Sequence, residues 1–134
     1  MTAKLTLFIS CLFGALSVAL GAFGAHILKS LLTDDQLNIY ETAVRYQFYH
    51  SLALLATGVL MLYGQTHAYR LMWSSASAYA FLIGLILFCG SLYLIISLQY
   101  HHLSVPWWVG VITPIGGLCF ILGWIFLALS VLKV

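Results

Sequence analysis

Four apolar stretches, each long enough to cross the hydrocarbon layer of a bilayer, limit what this chain can fold into. They cover residues 5–28, 46–63, 73–98 and 108–132. A helix rises about 1.5 Å per residue, so about 20 apolar residues span the layer. Over such a stretch only a helix satisfies all of its own backbone groups. Four spans in 134 residues leave room for short connections only. The expected fold is an all-α integral membrane protein: one domain over residues 1–134, a four-helix transmembrane bundle running up-down-up-down. Composition agrees, with 6% charged residues against about 25% in a soluble domain. Five Lys and Arg, scattered among three Asp and Glu, form no footprint for nucleic acid.

The first stretch follows Lys4, as a signal peptide would, but exceeds the about 7–15 apolar residues of a signal core. Its small residues are spread along it, so it reads as a retained span. Cys11, Cys89 and Cys119 each lie in an apolar run without a CxxC pair, and read as small apolar side chains rather than a disulfide or metal site.

Thr33 and Gln36 have the spacing of a capping box, and Asp34 and Asp35 suit a helix's first turn. No Gly or Pro follows before Gly58. The spacing predicts an interfacial helix over about 34–45 that continues into the second span, with Leu37, Tyr40, Val44, Phe48 and Leu55 as an apolar stripe. Tyr46, Tyr49, Tyr100, Trp107 and Trp108 are expected at one membrane face, and Tyr63, Tyr69 and Trp73 at the other. Lys4, Arg70 and Lys133 share the side of the termini, against Lys29 and Arg45 opposite, which places both termini in the cytoplasm by a margin of one charge.

Lipid gives helices little apolar reason to associate, so small residues mark the packed faces. Ser10, Gly14, Ser17, Gly21 and Gly24 share one face of the first span. Ser77, Gly84 and Ser91 repeat every seven residues in the third, as do Gly116 and Gly123 in the fourth, where Gly117 adds a further small residue. Pro114 removes a backbone donor and crowds the carbonyl of Gly110, so a kink is expected there.

Several of these segments carry a resemblance. Gly21-Ala22-Phe23-Gly24-Ala25-His26 closes the first span. The run Tyr40-Glu41-Thr42-Ala43-Val44-Arg45-Tyr46-Gln47-Phe48-Tyr49-His50 leads into the second. Gly90-Ser91-Leu92-Tyr93 lies in the third, and Thr113-Pro114-Ile115-Gly116-Gly117 with Gly123-Trp124 in the fourth. In this order and spacing they resemble the domain of unknown function 423 family, small four-helix proteins of bacterial inner membranes. The resemblance covers nearly the whole chain. It implies an inner-membrane location and a topology, but no reaction, cofactor or catalytic residue.

Ionisable groups in a span are costly, which singles out His26, Glu41, Arg45 and His50. Glu41 and Arg45 stand four apart, the spacing of a helix-stabilising pair. His50 lies about 140° around the helix from Arg45 and about 7.5 Å deeper, so its partners must come from other helices. With Tyr93 and Thr113 these residues are expected to form one polar layer near a single membrane face. The layer is either a lock of hydrogen bonds or a site for a ligand or proton. His101 and His102 are adjacent, and neighbouring side chains diverge, so no metal site is expected. No nucleophile triad, phosphate loop or metalloprotease motif is present. The sequence thus points to a non-enzymatic membrane component, without cofactor, that supports membrane integrity or binds a lipid or a protein partner, a second copy included. A small carrier or channel, or an intramembrane enzyme acting on a lipid or quinone, are the alternatives.

Overall fold

The structure is a computed structural model that describes residues 1–64 and 68–132. Residues 65–67, within the expected connection between the second and third spans at 64–70, and Lys133 of the charge count lie outside the described residues, as does the side chain of Tyr69. Helix α1 covers Ala3–His26, and a 3-10 turn, Leu28–Ser30, follows it. Helix α2 is one unbroken run, Asp34–Tyr63, and its capping box forms: Gln36 N–H donates to the Thr33 hydroxyl, and Thr33 N–H to the Gln36 amide oxygen. The third span is composite. Helix α3, Ala68–Gly84, passes through a π-turn, Leu85–Cys89, into α4, Gly90–Tyr100. Helix α5, Trp107–Leu132, is unbroken and contains Pro114.

Four antiparallel spans therefore run up-down-up-down, and no strand occurs among the described residues. Three of them are long and apolar enough to cross a membrane: Ala3–Ser30, Arg70–Tyr100 and Trp107–Leu132. Helix α2 is long enough, with 30 residues, but more polar. The reason is position. Helix α1 packs mainly along α2, and α5 along α3 and the π-turn, while α2 also meets the whole third span. Being the most surrounded helix, α2 turns Gln47, His50, Ser51 and Thr57 inward. Outward, Phe8, Val18, Ile86 and Leu118 are all more than half exposed, a surface only hydrocarbon can cover at low cost. Cys11 lies on this outer surface, whereas Cys89 is buried.

Glycines set the spacing between helices. A Cβ on Gly24 would lie 2.6 Å from the Tyr40 ring, and one on Gly58, a contact the sequence reading missed, 2.8 Å from Leu7. On Gly84 and Gly123 it would lie 2.5 and 2.6 Å from Phe120 and Phe81, and on Gly116 it would strike the Phe88 backbone. Gly14, Gly21 and Gly117 make looser contacts, with Ser51, Val44 and Phe88. Ser77 adds a hydrogen bond across the same seam, to the Gly123 carbonyl at 2.9 Å.

Candidate functional site

Helix register fixes the height of each polar group. Gly24 faces Tyr40, Gly14 faces Ser51 and Leu7 faces Gly58. The middle of the 24-residue α1 falls at Gly14, so His50 stands at mid-height. Helix α5 agrees, because the His50 ring stacks on Phe120, halfway along it, with centroids 3.5 Å apart and planes 9° apart. This is deeper than the sequence reading placed it. The first turns of α2 project past the end of α1, so Tyr46 is no interfacial belt residue either: its ring stacks on Phe88 at 4.8 Å and lies 5.8 Å from that of His50.

The structure separates the six polar candidates into three places. His26 is the last residue of α1 and is exposed; its side chain makes no hydrogen bond among the described residues. Glu41 and Arg45 are exposed on α2. Their expected ion pair is absent: Arg45 Nε donates to the Glu41 carbonyl at 3.3 Å and Nη2 to the Thr42 hydroxyl at 3.4 Å. A guanidinium on an exposed helix face reaches its own backbone without immobilising a second long side chain.

The second place is a chain of interhelical hydrogen bonds. The Tyr93 hydroxyl donates to the Gln47 amide oxygen at 3.0 Å, and Gln47 Nε2 donates to the Phe13 carbonyl at 3.2 Å. One amide thereby joins α4, α2 and α1. The Tyr40 hydroxyl donates to the Leu20 carbonyl at 2.8 Å, and its ring meets Tyr93 edge-on at 5.6 Å. Thr113 and Ser91 join α5 to α4 with hydroxyls 2.7 Å apart, and Ser91 donates to the Phe88 carbonyl within the π-turn. These contacts tie α1, α2, α4 and α5 to one another by hydrogen bonds. Gln47 is central to them and is absent from the residues that the sequence singles out; its signal is a lone amide on the face of α2 shared with Ala43 and Ser51.

His50 is the third place. It is 6% exposed, and its one hydrogen bond is with its own helix, Nδ1 to the Tyr46 carbonyl at 2.8 Å. It makes no hydrogen bond to another helix among the described residues and meets α3 and α5 through ring contacts alone. It lines a cleft of about 540 Å³ between α2 and α5, with Tyr46, Phe88, Pro114, Phe120 and Trp124. Leu118 and Ile121, on the rim, are exposed, so the cleft opens sideways into hydrocarbon. No Lys, Arg, Asp or Glu lines it, and no group of His, Cys, Asp and Glu among the described residues could hold a metal ion. Two backbone irregularities flank the cleft. Pro114 lines the cleft from within the unbroken α5, and the π-turn brings Phe88 beside it, where Gly116 admits the Phe88 backbone. Single π-turns inside helices recur at functional sites.

A family profile described as protein of unknown function, DUF423, matches residues 20–117. A UPF0382 membrane protein of Staphylococcus aureus (strain bovine RF122 / ET3-1) is 39% identical over 130 residues, 97% of each chain. A UPF0382 membrane protein of Staphylococcus haemolyticus is 38% identical with the same coverage. One from Staphylococcus saprophyticus is 34% identical over 131 residues, 98% of this chain and 99% of the relative. No solved structure matches the chain.

Proposed function

Because the chain belongs to the DUF423 family, whose relatives are bacterial membrane proteins, we propose that it is a non-enzymatic protein of the bacterial inner membrane that binds a lipid within the bilayer. All four helices cross in this reading, α2 included, with both termini in the cytoplasm. The cleft beside His50 is the binding site. The observation that carries the reading is the hydrogen bonding of that imidazole. A locking histidine at mid-membrane would tie two helices together, as Gln47 does. His50 instead makes its one hydrogen bond with its own helix, meets α5 through stacked and edge-on rings, and leaves Nε2 at the wall of the cleft. Apart from His50 and Tyr46 the lining is apolar, a surface suited to holding a lipophile.

The test is the lipid that travels with the protein through detergent purification. His50→Phe keeps a flat ring against Phe120, so it should fold and melt like the wild type. Mass spectrometry should find a lipid retained by the wild type and lost from the variant. Identical lipid content in the two proteins overturns the reading.

A carrier is the second reading, and one observation favours it: Pro114 and Phe88 of the π-turn both line the cleft, and irregular helices at membrane depth recur at transport sites. Solute flux into proteoliposomes that falls on Pro114→Ala would support it over simple binding.

A further inference from the structure

We propose that the cleft selects lipophiles bearing a hydroxyl on a flat ring, such as a long-chain phenol or the quinol form of a lipid quinone. The proposal deepens the lipid-binding reading above and rests on it.

The first argument is the direction of one hydrogen bond. The Tyr46 carbonyl can only accept, so Nδ1 of His50 carries the ring proton. Nε2 of the neutral ring is then left with a lone pair and no hydrogen, and no donor among the described residues meets it. An unpaired acceptor at the wall of an apolar cleft calls for a donor. A bare acyl chain offers none, and neither does the carbonyl of an oxidised quinone.

The second argument is shape. His50 and Phe120 lie within 9° of parallel, and Tyr46 lies within 27° of His50 and 28° of Phe88. Trp124 meets the His50 ring edge-on at 6.4 Å. These rings cover one another's inner faces, so a flat guest meets the outer surfaces of Tyr46 and Trp124, which are 40% and 50% exposed, in the offset and edge contacts that aromatic pairs favour. The third argument is the exit. Leu118 and Ile121 at the rim face outward, so an alkyl tail leaves between them into the bilayer. A phosphate headgroup has no cation in the lining to meet it.

The test titrates the purified full-length protein in nanodiscs with 4-dodecylphenol and with its methyl ether, which keeps the ring and tail but loses the donor. Tryptophan fluorescence reads binding, and the quench should disappear in Trp124→Phe. The phenol should bind about tenfold more tightly than the ether, the scale of one hydrogen bond to a buried acceptor. A decyl benzoquinol held reduced should likewise exceed its quinone. In His50→Phe the phenol and ether should bind alike. The wild-type comparison needs no variant, so a misfolded variant cannot hide the answer. Equal affinity of phenol and ether, preference for the quinone, or no saturable binding of any probe overturns the proposal. Lipid retained through purification would still stand in each case, so the broader reading fails or survives on its own measurement.

Discussion

Glycines that look equivalent in the sequence differ in what surrounds them. At Gly116 an added methyl group would strike the backbone of Phe88, which cannot turn aside; at Gly90 it would meet nothing within 4 Å. Gly116→Ala should therefore lower stability by about 1–3 kcal/mol, read as an earlier melting transition in detergent. Gly90→Ala should leave melting unchanged or raise it slightly. Equal effects would refute the packing account. Gln47 allows a sharper test, because one side chain serves two partners. Gln47→Leu strands the Tyr93 hydroxyl and should cost about 1–3 kcal/mol. Adding Tyr93→Phe should cost little more, since the shared bond is already gone. The small-residue faces were legible in the sequence, because helical spacing alone reveals them. Which glycines are tight was not, because that depends on the side chain arriving from the facing helix.

The start of α2 was equally legible, because a capping box is local chemistry. Thr33→Ala should cost about 1 kcal/mol, seen as faster amide exchange at Gln36 and Leu37 with no change near Gly58. The depth of His50 was not legible. It depends on how far α2 projects beyond α1, and that register is set by pairs such as Gly24 with Tyr40. The π-turn was hidden as well. Leu85–Cys89 reads as an ordinary apolar segment, and only the opposing Gly116 shows why its backbone is displaced. Deleting Ile86 should restore a regular helix and leave α4 near its present orientation, because the wider π-turn takes one extra residue to complete about the same rotation. The Phe88 backbone would then draw back from the cradle that Gly116 provides. Helical content by circular dichroism should hold while the melting temperature falls; unchanged melting would show that the π-turn positions nothing.

At the scale of the whole molecule, an even number of crossings returns the chain to the side it left. Thr2→Cys and Leu132→Cys should both react with a membrane-impermeant thiol reagent from the cytoplasmic side only, in a background lacking the native cysteines. Opposite sidedness would remove one crossing, with α2 the first suspect for its polarity. The packing also divides the molecule in two. Each hairpin carries its own tight glycine seam, α1 with α2 and the third span with α5. Between the hairpins lie the core leucines, the Gln47–Tyr93 bond and the stack of His50 on Phe120. During biogenesis the first hairpin can thus zip shut as soon as it leaves the insertion machinery, before the second has been synthesised. Continuity of the chain between them is a convenience of delivery rather than a requirement of the finished form. Halves 1–64 and 68–134, made as separate polypeptides in one cell, should meet laterally in the bilayer and purify together.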